Sequence, residues 1–216
     1  MDPTRDPNAQ DGEDLLARAR AGDAAALETI FARHRDRLRR MVEIRLDRRV
    51  QARIDASDVI QEAYLEVLTR LPDYLKEPHL PVFLWLRLVV GERLLKLHRH
   101  HLGAKMRDAG LEVSLYRGAF PAASSAALAA QLLGKHTSPT QAVLRTERLL
   151  RLQEAINTLD PMDREVLSLR HFEELTLGET AEVLAITEAA AAKRYVRALW
   201  RLKGILVALP GGDGES

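Results

Sequence analysis

The chain has 216 residues, 46% hydrophobic and only 5% aromatic, and its 32 basic and 31 acidic side chains leave a formal charge of +1. That length allows one large domain or two small ones. Abundant Ala and Leu with few β-branched residues exclude an all-β sandwich and favour helices. The absence of cysteine excludes disulfides, thiolate zinc sites and cysteine nucleophiles, and it fits a reducing, cytoplasmic setting.

Residues 1–12 are acidic and polar. They read as a disordered start with no secretory signal. Helices are expected over 13–21, 24–47, 57–71 and 81–102, making a first domain of 13–107. Residues 33–53 hold nine Arg against three acids. The segment 55–66 reverses that balance, with Asp55, Asp58, Glu62 and Glu66 and no base. In 57–71 the spacing of Ile60, Tyr64, Val67, Leu68 and Leu71 predicts a buried stripe. The opposite face carries Asp58, Gln61, Glu62 and Leu65. It reads either as a solvated acidic surface or as a docking face for a basic partner, with Leu65 as its apolar anchor.

The helix 81–102 is apolar nearly all round at its start, where Phe83 and Trp85 lie. It then turns basic, with Arg93, Lys96 and Arg99. Cations beside rings suit opened or single-stranded nucleic acid, the cations meeting phosphates and the rings stacking on bases. The plainer reading, favoured for Trp85, is that the rings fill the core. His98, His100 and His101 suggest a metal, but no third convergent ligand accompanies them, and no cofactor is expected.

Residues 108–138 are punctuated by Gly110, Gly118, Pro121 and Gly134. They read as a flexible linker, and no long period-2 run suggests a sheet. The longest uncharged run, 118–134, is 17 residues, and its apolar residues are mostly alanine. It is too short and too weakly apolar for a membrane span, which needs about 20 apolar residues.

Helices over 139–158, 162–172, 177–185 and 188–207 make a second domain of 139–207, followed by a disordered tail, 208–216. Ser138 with Pro139 and Gln141, Asp160 with Pro161, and Thr176 with Glu179 are helix starts. The short turn Ala185, Ile186, Thr187 between the last two helices has helix-turn-helix character, and Thr187 can cap the second helix. That helix carries Glu188, Lys193, Arg194, Arg197 and Arg201, a charge pattern suited to phosphates and base edges in a major groove. The fold class expected is all-α: two small helical domains joined by a flexible linker, the C-terminal one a helix-turn-helix.

Three segments in this order, DASDVIQEAYLEVLTRL (55–71), PVFLWLRLVVGERLL (81–95) and LDPMDREVLSLRHFEELTLGETAEVLAITEAAAAKRYVRALWRLK (159–203), resemble bacterial sigma factors of the extracytoplasmic-function group, the compact kind with only sigma domains two and four. The resemblance spans nearly all of 13–207. It implies a non-enzymatic subunit that lends core RNA polymerase promoter recognition and strand opening. Asp58, Gln61, Glu62 and Leu65 match the polymerase-docking segment. The loop 72–80 and Phe83 match the part that captures flipped bases of the −10 element, and Arg87, Arg93, Lys96 and Arg99 match the −10-reading helix. Helix 188–203, with Thr187, Glu188, Lys193, Arg194, Arg197 and Arg201, matches the −35 reader. The partners implied are core RNA polymerase and promoter DNA, with an anti-sigma factor left open and no membrane.

Two features depart from the family pattern. Ala185 stands where a turn glycine is usual, at a cost of about 1 kcal/mol if φ is positive. The alanine-rich tip 189–192 predicts more phosphate contact than base contact. Two rivals lack polymerase or DNA: a plain helix-turn-helix regulator, which leaves the acidic face unexplained, and a helical interaction scaffold. A histidine-based metallohydrolase lacks any paired-carboxylate or HExxH signature.

Overall fold

The computed structural model describes residues 7–102, 114–115, 118–119, 121–133 and 142–207. The Ser138–Gln141 helix start and the tail from 208 lie outside them. The N-terminal half consists of α1 (Pro7–Arg20), α2 (Ala24–Arg45), the single turn α3 (Arg48–Gln51), α4 (Ala56–Lys76) and α5 (Val82–Leu102). Helix α1 starts at Pro7, earlier than expected, with proline in the first-turn position it tolerates. Asp23 caps α2 by accepting from the Ala25 and Ala26 N–H groups, and Arg18 grips the same carboxylate at 2.7 Å.

Helix α4 opens on a reciprocal capping box. Asp55 accepts from the Asp58 N–H at 2.9 Å, and Asp58 accepts from the Asp55 N–H at 3.0 Å. Its buried face is Val59, Ile60, Ala63, Val67, Leu71 and Tyr74. Leu68, expected in that stripe, is exposed, because the stripe drifts toward Val59 and Ala63. The helix also runs through Pro72 to Lys76, so half of the loop expected over 72–80 is helical. Proline forfeits one backbone bond there, but Leu71 and Tyr74 on either side are buried.

Within the stretch read as a linker, Ser114–Leu115 (β1) and Gly118–Ala119 (β2) form a two-residue antiparallel hairpin beside α9. Residues 121–133 follow, with α6 (Ser125–Leu132) capped by Ser124. Leu128 and Ala129 are fully buried there. The segment is tied back to α2 by the Ser124 N–H, which donates to the Ile44 carbonyl at 2.7 Å.

The C-terminal half holds α7 (Ala142–Asn157), α8 (Pro161–Leu167), a five-residue π turn (Ser168–Phe172), α9 (Leu177–Leu184) and α10 (Glu188–Val207). The expected caps are present. Asp160 accepts from the Met162 and Asp163 N–H groups with Pro161 in the first turn, and Thr176 and Glu179 form a capping box. Among the described residues no helix is long and apolar enough to cross a membrane.

The apolar core does not stop at the boundary between the halves. Val166, Leu169, Leu175 and Leu184 join the core of α1–α5, while Ile44 of α2 joins the cluster of α6, α7 and α10.

Candidate functional site

Three sets of residues singled out in the sequence lie on α4, α5 and α10, and their surroundings differ sharply. On α4, Gln61, Glu62 and Leu65 are exposed, Leu65 at 64%. Beside them runs an open groove of about 600 Å³ between α2 and α4, walled by Phe31, Ile60, Tyr64 and Leu65 and edged by Glu28 and Glu62. Asp58 has its side chain turned back onto the helix start through the capping box. The face is an apolar trough with a polar rim of Glu28, Glu62, Gln61 and Arg35.

On α5 the sequence expectation of a free basic surface needs correction. Phe83 and Arg87 are both 3% exposed. Phe83 lies between the His34 ring (centroids 5.3 Å apart) and the Arg37 guanidinium, 3.5 Å above the Phe83 centroid. Burial, then the nearby Arg37 charge, lowers His34 to a pKa of about 4. Arg93 donates to Glu62 at 2.8 Å from Nε and 2.5 Å from Nη2, and Lys96 donates to Glu66 at 3.1 Å. The acidic segment and the basic helix, distinct in the sequence, therefore meet side by side on α4 and α5. Arg99 is exposed. His98 is buried and accepts from the Asp47 N–H at 3.2 Å through Nε2, so it packs away from the His100–His101 pair.

The cover over Arg87, and the partners that hold Arg37 over Phe83, come from the far end of the chain. Glu173, fully buried, receives Arg87 Nε at 2.6 Å and lies 2.5 Å from Arg45 Nη1, while Arg45 Nη2 reaches Glu165. Arg37 donates to the Glu173 and Glu174 carbonyls, at 3.0 and 3.1 Å, and Arg40 donates to the Phe172 carbonyl at 3.0 Å. The π turn aims these carbonyls. It shifts the register by one residue, so the Glu173 N–H returns to the Ser168 carbonyl while Leu169 and Phe172 stay in the core. Burial pushes the Glu173 carboxyl up, but the charges of Arg45 and Arg87 outweigh that and hold it below the ordinary carboxylate range.

On α10 the turn has the geometry of a helix-turn-helix. Ala185 sits at φ 51° and ψ 44°, in the left-handed region, and the Ile186 N–H returns to the Ala181 carbonyl at 3.0 Å. The Ala190 N–H donates to the Thr187 hydroxyl at 3.2 Å, making Thr187 the cap of α10. Glu188, Lys193 and Arg201 are exposed. Arg194 and Arg197 are committed inward: both donate to Asp163, a fully buried carboxylate on α8, at 2.8 Å and 2.6 Å. Burial raises the Asp163 carboxyl, and the two guanidiniums bring it below its ordinary range.

Asp163, Glu173, Arg45 and Arg37 are thus organising residues that the sequence pattern did not single out. Asp163 carries a partial signal as a first-turn acid after a capping Asp and a proline; nothing local marks the others.

Comparison with known proteins agrees with this architecture. A family model described as Sigma-70, region 4 matches residues 149–202, the segment that holds the turn and α10. The chain is 28% identical over 194 residues to the ECF RNA polymerase sigma factor SigD of Mycobacterium tuberculosis, covering 90% of this chain and 83% of that protein. It is 23% identical over 204 residues to the ECF RNA polymerase sigma factor BldN of Streptomyces coelicolor, covering 94% and 69%. The fold is similar to that in a structure of CnrH in complex with the cytosolic domain of CnrY, with a TM-score of 0.54 and 21% identity over 92% of this chain and 98% of that one. The fold and the matched helix-turn-helix resemble those of sigma factors of the sigma-70 type. Within that class, the similarity over most of the chain is to the extracytoplasmic-function group.

Proposed function

We propose that this chain directs core RNA polymerase to promoters through a division of labour between its halves. Helices α1–α5 act as sigma domain two, α7–α10 act as sigma domain four, and catalysis stays with the polymerase in the cytoplasm. The observation that carries the reading is the α9–α10 turn: a capped helix-turn-helix with exposed Lys193 and Arg201, inside the segment that matches sigma-70 region 4.

The α2–α4 groove with Leu65 supplies the polymerase-docking face, since an exposed leucine beside an apolar trough, with Glu28 and Glu62 among the polar residues of its rim, suits a partly apolar helix carrying basic residues. Helix α10 supplies contact with the −35 duplex. The −10 element falls to α5, and the geometry adds a condition. Arg87 is held by Glu173, and Arg37, which lies over Phe83, is held by the Glu173 and Glu174 carbonyls, so contact of Phe83 and Arg87 with DNA goes with separation of the 172–175 segment from Arg37, Arg45 and Arg87. Regulation by an anti-sigma partner is part of the same reading, supported by the fold shared with CnrH, whose structure is a complex with CnrY.

The experiment is in vitro transcription by core polymerase, with and without the full chain, on a library of promoter fragments. Promoter-dependent initiation only with the chain supports the reading. Sequence-specific duplex binding without core association would favour the plain helix-turn-helix regulator, and neither activity would favour a scaffold.

A further inference from the structure

Helix α10 turns one side to the core through Ala191, Ala198 and Leu202. Its other side carries two lanes. One lane is cationic: Lys193, Arg197 and Arg201, four residues apart in each step. The other is apolar: Ala189, Ala192 and Val196, at i, i+3 and i+7, with Val196 50% exposed. In a helix-turn-helix the first turns of the second helix face base edges. The hydrogen-bonding groups available there are few. Arg194 is held by Asp163 at 2.8 Å and by Asp160 at 3.4 Å, which leaves Glu188 and Lys193 as the long polar side chains of the first two turns. Bidentate reading of guanine requires a free arginine fork or a well-placed lysine, whereas alanine and valine methyls fit one group in the major groove, the C5 methyl of thymine.

On the reading of α10 as the −35 helix, we propose that its sequence preference is set by apolar contact between Ala189, Ala192 and Val196 and thymine methyl groups. Lys193 and Arg201 of the cationic lane neutralise the adjacent phosphates, while Arg197 is held by Asp163. Charge complementarity selects DNA over a protein occupant for this face: Glu188 is the one acid in α10, against five basic residues between 193 and 203. The bare apolar lane lies beside the cations, where a groove wall would follow.

The test uses the full chain bound to core polymerase and a promoter selected by that holoenzyme from a pool randomised in the −35 region. Each thymine of the selected element is then replaced, one at a time, by deoxyuridine, which removes the C5 methyl and leaves base pairing unchanged. At one or more positions binding is expected to fall about fourfold, the effect of one buried methyl group. Val196→Ala, an exposed change that leaves the fold intact, should bring that thymine-to-uracil ratio toward one at its own position. Lys193→Ala should weaken all duplexes alike and leave the ratio unchanged. If the holoenzyme selects a −35 sequence but every uracil duplex binds as the thymine duplex does, methyl reading is overturned and the −35 assignment stands. If it selects no −35 sequence, the assignment of α10 falls, and methyl reading with it.

Discussion

Arg87 and Glu173, 86 positions apart in the chain, meet at 2.6 Å in a site with almost no solvent access, and Arg45 closes on the same carboxylate from α2. This contact joins α5, the helix proposed for the −10 element, to the turn that leads into α9 and the helix-turn-helix. Removing one partner of a buried ion group costs about 3–5 kcal/mol, because the remaining charges stay desolvated. Glu173→Gln is therefore expected to open the molecule: small-angle scattering should give a larger radius of gyration, and amide exchange in α5 should accelerate. An unchanged radius would mean that the apolar contacts of Leu169 and Leu175 hold the halves together without the ion group.

Acid should weaken the same region from two sides. The His34 pKa is about 4 in the folded chain against 6.5 for an unperturbed histidine, with Arg37, Arg33 and Glu179 as its charged neighbours. Between those values the unfolded state binds the proton and the folded state does not, so stability falls as pH falls from about 6.5. The His34 contribution to that slope approaches, and does not exceed, about 1.4 kcal/mol per pH unit, and His98, whose pKa burial also lowers, adds with the same sign. Glu173 and Asp163 have depressed values, so their contribution is full above the unfolded carboxylate range and is lost only as pH falls through their lower folded values. Urea titrations between pH 7.5 and 5 should show the decline, and His34→Leu should reduce it. A slope unchanged by this substitution would remove His34 as a source.

Leu65 is the cleaner probe of polymerase docking. Asp58 closes the cap of α4 and Glu62 holds Arg93, so reversing either charge disturbs the chain itself. Leu65→Arg changes an exposed side chain, which usually costs within about 0.5 kcal/mol of stability. A central interface anchor is worth about 2 kcal/mol or more, so affinity for core polymerase should drop roughly 30-fold with the thermal midpoint unchanged. Equal affinities in a direct titration would move the docking face away from the α2–α4 groove.

At the helix-turn-helix corner, Ala185 holds a left-handed backbone that glycine adopts without strain. Ala185→Gly should stabilise the chain by roughly 0.5–1 kcal/mol, and the melting temperature should rise by about 2–4 °C. A lower melting temperature in calorimetry would mean that the alanine methyl group contributes more than its strain costs.

Local chemistry was legible in the sequence. Asp160 with Pro161, Thr176 with Glu179, and the strained Ala185 corner each depend on residues a few positions apart, and each stands in the structure where spacing put it. The pairing of distant charges was not. Arg87 read as a member of a basic helix and Glu173 was not singled out, because nothing within a helical turn of either names its partner. Arg194 and Arg197 looked like free DNA contacts for the same reason: Asp163, which holds them, lies some 30 residues earlier on another helix. The helix α6 was hidden differently. Its alanines carry too little hydrophobic contrast to mark a buried face, yet Ala129 and Leu128 fill the space beside Ile44.

The two tryptophans occupy opposite environments. Trp85 stacks on Tyr74 with centroids 4.3 Å apart and planes 14° apart, while Trp200 is 67% exposed on α10 with the Lys203 ammonium 5.5 Å from its ring. The molecule thus carries two native optical reporters with separable signals. Trp200, with its red-shifted emission open to aqueous quenchers, responds to whatever approaches α10. Trp85, shielded against its tyrosine, registers disturbance of the α4–α5 core. Trp200→Phe leaves a single-tryptophan chain in which emission and iodide quenching follow that core alone, without an added label.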